Sequence, residues 1–185
     1  SLQNILLNLH VLLVQLLPNA KKVAVMYCGA EDNSIFQAKI AMTYLSKLGL
    51  TGQETTVSDS NSIQQVVESL IGKVDAIYIP TDNLLASGMA TVTLIANKNN
   101  LPVIVGESGM VTTGGLATYG IDYYNLGYKS GEMAVKILKG ESEPADMAIE
   151  YLPADECELV VNTTSAKTLG LTISEDILAK AKTVE

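Results

Sequence analysis

Carboxylates and hydroxyls recur at four points along this chain, each just past a short apolar run: Glu31, Asp32 and Ser34; Thr81 and Asp82; Glu107 and Ser108; and Asp122. Asn33 and Asn83 sit among them, and Tyr123 directly follows Asp122. Two kinds of chemistry suit this set. Short oxygen-bearing side chains at a helix start accept hydrogen bonds from its unpaired N–H groups, so Asp32, Asn33, Ser34, Thr81 and Asp82 read as caps. Free N–H groups at the same starts can hold a carboxylate, while Glu31, Glu107 or Asp122 pairs with an ammonium. The readings are compatible, and together the groups suit a zwitterion. The candidate ligand-binding residues are therefore Glu31, Asn33, Ser34, Thr81, Asp82, Asn83, Glu107, Asp122 and Tyr123.

Four of the eight tyrosines, Tyr119, Tyr123, Tyr124 and Tyr128, fall within ten residues. Such rings can flank an aromatic or aliphatic ligand. Tyr124 and Tyr128 are spaced to share one helix face and read as packing, which leaves Tyr123 as the ring assigned to a ligand.

Enzyme signatures are scarce, and no catalytic residue is assigned. The loop after the first strand holds a single glycine, without the GxGxxG or GxxxxGK[ST] patterns of phosphate cradles. No GxSxG is present, and His10, the sole histidine, lies in an apolar helix, where it reads as packed and inert. Carboxylate chemistry, as in an isomerase, stays open because several acids share one rim. Cys28 and Cys157 lack metal-ligand spacing and read as buried thiols, so neither a metal nor a cofactor is assigned.

The elements that must position these residues follow from periodicity. Apolar, β-rich runs at 22–27, 53–57, 74–79, 101–105 and 116–121 alternate with helical patterns at 34–48, 62–71, 83–98 and 124–138. Phe36, Ile40, Tyr44 and Leu48 mark the apolar stripe of the second helix, and Ser60-Asn61-Ser62 caps the third. The tail adds extended runs at 148–151 and 158–161 and helical turns around Ala166 and from Glu175 to Ala181, the latter capped by Ser174. This alternation predicts an α/β fold: an open, mostly parallel sheet of about five to six strands with helices on both faces. In such sheets ligands bind at the carboxyl ends of the strands, which is where all four clusters fall.

The 185 residues, 48% of them hydrophobic, suffice for one domain with a buried core. A formal net charge of -8, from 12 basic and 20 acidic residues, repels phosphate backbones and anionic lipids, so nucleic acid is not an expected partner. Leu2 to Leu17 is almost uniformly apolar but lacks the basic start and cleavage site of a signal peptide and is short for a membrane span. It reads as a helix buried against protein.

Four strings, LPNAKKVAVMY (17–27), VDAIYIPTDN (74–83), ATYGIDYYNLGY (117–128) and AVKILKG (134–140), resemble the ABC-transporter substrate-binding family associated with tryptophan and tyrosine uptake. The resemblance runs through nearly the whole chain. It implies a type I periplasmic-binding-protein fold, two α/β lobes closing on a ligand, with Ser34, Asp82, Glu107 and Asp122 in cleft-facing loops. It also implies an exported, often lipid-anchored protein that delivers a small molecule, here an amino acid, to an ABC permease in the membrane.

By the same resemblance, residues 1–185 form the second lobe, with a first lobe and any export signal upstream, and 116–140 cross over to pack on that first lobe. Without it the crossover helix exposes an apolar face that can recruit a second copy as a homodimer. A ligand-sensing domain of a regulatory protein, and a sugar or nucleoside as ligand, are alternatives with the same fold.

Overall fold

Lys22–Cys28 is buried along nearly its whole length, the pattern of a strand covered on both faces. It is β1 of a computed structural model that describes residues 2–153 and 156–185, with side chains from residue 7 onward. Around it the chain runs α1 (Leu2–Leu16), β1, α2 (Asp32–Lys47), β2 (Thr51–Val57), α3 (Ile63–Leu70), β3 (Ala76–Ile79), α4 (Asn83–Ser87), α5 (Met89–Lys98) and β4 (Val103–Val105). It continues as α6 (Ser108–Thr112), β5 (Ala117–Ile121), α7 (Tyr123–Leu138), β6 (Cys157–Asn162), α8 (Thr163–Thr168), α9 (Glu175–Leu178) and β7 (Lys182–Val184).

The seven strands form one sheet in the order β2-β1-β3-β4-β5-β6-β7, and every pairing is parallel except β5 with β6. Alternate strand residues feed two apolar layers. Ala24, Met26, Ile77, Ile79, Val103 and Val105 pack with Val67 and Leu70 of α3 and Met89 and Val92 of α5. Val23, Val25, Tyr78 and Ile104 pack with Leu9 and Leu13 of α1 and Ala41 and Leu45 of α2.

Helix α1 is docked by its leucines: Leu9, Leu12, Leu13 and Leu16 are buried, each contributing about 1.5–3 kcal/mol of transfer free energy. The side chains of residues 2–6, part of the same expectation, lie outside those described. His10 is fully buried, its ring 4.9 Å from that of Tyr78. Among the described residues no helix is long and apolar enough to cross a membrane.

Several expectations need correction. The sheet has seven strands, because the three-residue β7, too short and polar for a periodicity signal, pairs beside β6. Residues 148–151 form no strand; Ile149 and Tyr151 are exposed there. The helix expected over 83–98 is two, split at Gly88. Helix α2 presents Ser34, Gln37, Ala38, Ala41 and Leu45 to the interior and leaves Phe36 57% exposed. Small side chains let that face lie close to the sheet, so volume overrides the hydrophobic stripe. Asp59 caps the turn that leads into α3, with the Ser62 hydroxyl, one of the expected caps, accepting in return from Asp59 N–H. Ser174 stands at the N-cap of α9 without a side-chain bond to it. Cys28 is buried, but Cys157 is only half-buried.

Candidate functional site

The parallel strands β1, β3, β4 and β5 deliver their carboxyl ends to one rim. Two glycines let the loops there crowd together. A Cβ at Gly106 would sit 2.6 Å from the Thr81 nitrogen, and one at Gly120 would sit 2.9 Å from the Gly106 carbonyl oxygen. Backbone is the obstacle in both cases, so no larger residue fits without moving a loop.

Asp82 anchors the rim. It is 3% exposed, and its carboxylate accepts from Cys28 N–H at 2.7 Å and from Leu85 N–H at 2.8 Å, tying β1 to the start of α4. Glu31, at the N-cap position of α2, reaches across 52 residues: it accepts from the N–H of Asn83 at 3.0 Å, the Asn83 side-chain amide at 2.9 Å and Leu84 N–H at 3.0 Å. Partial burial opposes ionisation of Glu31, but these donors more than offset it and hold the carboxyl below its ordinary value. Glu107 caps α6 through Gly109 and Met110 N–H, and Asp122 caps α7 through Tyr124 and Asn125 N–H.

Asn33 and Ser34, expected to cap α2, instead donate to the Thr81 carbonyl at 2.9 and 3.3 Å. The expectation failed because α2 begins at Asp32, which places both residues inside its first turn, where their side chains reach the bend that follows β3. No side chain caps α2.

A cavity of about 330 Å³ opens on this rim, lined by Asn33, Thr81, Asp82, Asn83, Ala86, Glu107, Met110 and Tyr123. Six of the nine nominated residues line it. Ser34 lies fully buried and bonded to Thr81, Glu31 contacts Asn83, and Asp122 caps the helix that carries Tyr123. Tyr123 is about half-exposed, and partial burial followed by the nearby Glu107 carboxylate raises its hydroxyl pKa. No Lys, Arg or His lines the cavity. Among the described residues no cluster of His, Cys, Asp and Glu has the form of a metal site.

A cleft of about 490 Å³ lies elsewhere, among α1, β5, β6 and α9, where Leu12, Tyr119, Leu159 and Ile177 meet Asp176 and Lys180. It contains none of the nominated residues and lies away from the strand-end rim where ligands of such sheets bind, so the strand-end cavity is the better candidate despite its smaller size.

Sequence reasoning missed Gln37, Ala86 and Met110. Gln37 is buried and hydrogen-bonds Thr81. Met110 belongs to α6, a helix that went unread because five residues give too little periodicity. The packing expected of Tyr124 and Tyr128 is absent: they share a face, but are 79% and 64% exposed.

The family model described as ABC transporter substrate binding protein matches residues 3–185. The tyrosine-binding protein of Clostridioides difficile (strain R20291) is 41% identical over 156 residues, which are 84% of this chain and 44% of that protein. Among solved structures, the ABC domain from Streptococcus pneumonia in complex with L-Trp superposes with a TM-score of 0.90 at 35% identity, covering 98% of this chain and 60% of that one. A substrate binding protein with adhesive properties from Clostridium difficile, in its ligand-free, open form, matches with a TM-score of 0.75 at 41% identity, covering 96% and 58%. A LacI family transcriptional regulator from Arthrobacter sp. FB24 shares the fold alone, at 16% identity and a TM-score of 0.60. The chain spans about half the length of the relatives it matches most fully.

Proposed function

The chain belongs to the ABC transporter substrate-binding protein family, and on that premise we propose that it is the second lobe of a two-lobed receptor holding an aromatic amino acid for an ABC importer. The receptor is non-catalytic, works outside the cytoplasmic membrane, by a lipid anchor or in the periplasm, and hands its ligand to a membrane permease. A tyrosine-binding relative and a Trp-bound neighbour support the ligand class.

The observation that carries the proposal is the lining of the strand-end cavity: the ring of Tyr123 beside two carboxylates, Asp82 and Glu107, and no cationic side chain. Such a wall suits an ammonium and an aromatic ring. The ligand's own carboxylate then belongs to the facing lobe.

Helix α7 supports a facing lobe. Its 16 residues include none that is buried, and Tyr124, Tyr128 and Leu138 are exposed. A second copy of the same chain is the alternative cover, giving a homodimer of the isolated lobe.

The test is a thermal-shift panel of amino acids, sugars and nucleosides on this chain and on the chain with its upstream lobe. At ligand one hundred times Kd, the two-lobed protein gains about 2.7 kcal/mol with tyrosine or tryptophan, while this chain alone gains little. A shift with sugars or nucleosides instead, or with nothing, sinks the amino-acid reading.

A further inference from the structure

A primary amide buried in a helix must find partners for its donors and its acceptor or incur a desolvation cost. Gln37 is 7% exposed and lies on the face of α2 that also buries Ser34, Ala38 and Ala41. Both its partners come from one residue. Thr81 N–H donates to Gln37 Oε1 at 3.2 Å, and Gln37 Nε2 donates to Thr81 Oγ1. The Thr81 carbonyl accepts from Asn33 Nδ2 and Ser34 Oγ. Every polar group of Thr81 is thus held by the first turns of α2.

Thr81 needs that hold. It follows Pro80 in a bend between β3 and α4, outside the sheet ladder and outside the helix. The next two residues, Asp82 and Asn83, line the cavity with it. A shift of Thr81 moves the Asp82 carboxylate off Cys28 N–H and rotates the start of α4. Gln37 itself does not line the cavity.

We propose that Gln37 is a positioning residue: it sets ligand affinity without touching the ligand, by locking Thr81 and through it the Asp82–Asn83 wall. The proposal deepens the amino-acid reading above and rests on it for the binding measurement. Its geometric half, the lock on Thr81, is independent of any ligand.

The experiment compares wild type, Gln37→Leu, which keeps the shape and removes both bonds, and Gln37→Glu, whose carboxylate can accept from Thr81 N–H and from the Thr81 hydroxyl. In the two-lobed protein, Kd for L-tyrosine and L-tryptophan is measured at 25 °C by calorimetry, alongside the apo melting temperature and amide exchange at Thr81. Gln37→Leu is expected to accelerate exchange at Thr81 about tenfold, the equivalent of about 1.4 kcal/mol, and to weaken both affinities by about the same factor. Gln37→Glu restores most of each. Thr81→Val removes only the hydroxyl partner of Gln37 Nε2, so combined with Gln37→Leu it lowers apo stability by less than the sum of the two single losses.

A lowered melting temperature with unchanged Kd and unchanged exchange overturns the proposal and leaves Gln37 a packing residue. Fully additive stability losses in the double variant overturn it too. If wild type binds neither amino acid, the functional reading fails, and exchange at Thr81 decides the lock alone: faster in Gln37→Leu upholds it, unchanged refutes it.

Discussion

Replacing Asp82 isolates the best-defined polar junction on the rim. Its two carboxylate oxygens serve different elements: one receives Leu85 N–H and caps α4, the other receives Cys28 N–H at the end of β1. In Asp82→Ala the lost cap costs about 1 kcal/mol. Cys28, only 5% exposed, keeps an N–H with no acceptor, which costs a further 1–3 kcal/mol or so. The total is about 2–4 kcal/mol. Asp82→Asn retains one acceptor oxygen but turns its NH2 toward the other N–H, so about half of that loss is expected. Urea unfolding followed by circular dichroism measures both, and for a chain of this size the Ala variant melts roughly 5–15 °C lower. The ranking is wild type, then Asn, then Ala. An Ala variant within about 0.5 kcal/mol of wild type refutes the reasoning, because surface substitutions do no more than that.

Acid should loosen the same rim through Glu31. Its folded-state pKa lies below the ordinary 4.5, so its bonds to Asn83 and Leu84 contribute fully above that value and are lost as pH falls through the lower folded one. Unfolding free energy measured from pH 7 to pH 3 is expected to fall less steeply below about 4.5 in Glu31→Gln, and an unchanged slope counts against the cross-loop bonds. The exposed face of α7 gives the remaining prediction: Tyr124→Ser, Tyr128→Ser and Leu138→Ser each change the stability of this chain by less than about 0.5 kcal/mol. In the two-lobed protein each should cost about 1.5–3 kcal/mol if that face is buried there. Equal effects in both proteins dismiss a facing lobe on α7.

How far the fold is legible depends on the length of the signal. β1 and the run ending at Ile79 are continuous apolar stretches between turn residues, and they read correctly as interior parallel strands. β7 and α6, with three and five residues, carry no usable period. Helix α2 misleads for a physical reason: Ala38 and Ala41 allow close approach to the sheet, so the bulky Phe36 is left outside. The site follows the same logic. That Asp82, Glu107 and Tyr123 would meet on one rim was legible because they follow strand ends, which needs only the order of elements. Gln37 was invisible because a polar residue within a helix pattern normally marks the solvent side. The contact from Glu31 to α4 was equally hidden, since pairing across 52 residues leaves no local trace.

The geometry also narrows which end of a zwitterion this wall can take. A ligand carboxylate held at helix starts needs free N–H groups, yet Asn83, Leu84 and Leu85 of α4 donate to Glu31 and Asp82. Gly109 and Met110 of α6 donate to Glu107, and Tyr124 and Asn125 of α7 donate to Asp122. Each of these three helix ends is answered by the chain's own acid, so there a ligand carboxylate would have to displace a carboxylate already bonded, and α2, which no side chain caps, is the exception on the rim. The same acids keep lone pairs beyond those the N–H groups use. Capping and binding, which the residue types alone left compatible, can therefore be separated: the caps fix the carboxylates in place, and under the proposed function their spare acceptors are what an ammonium would meet.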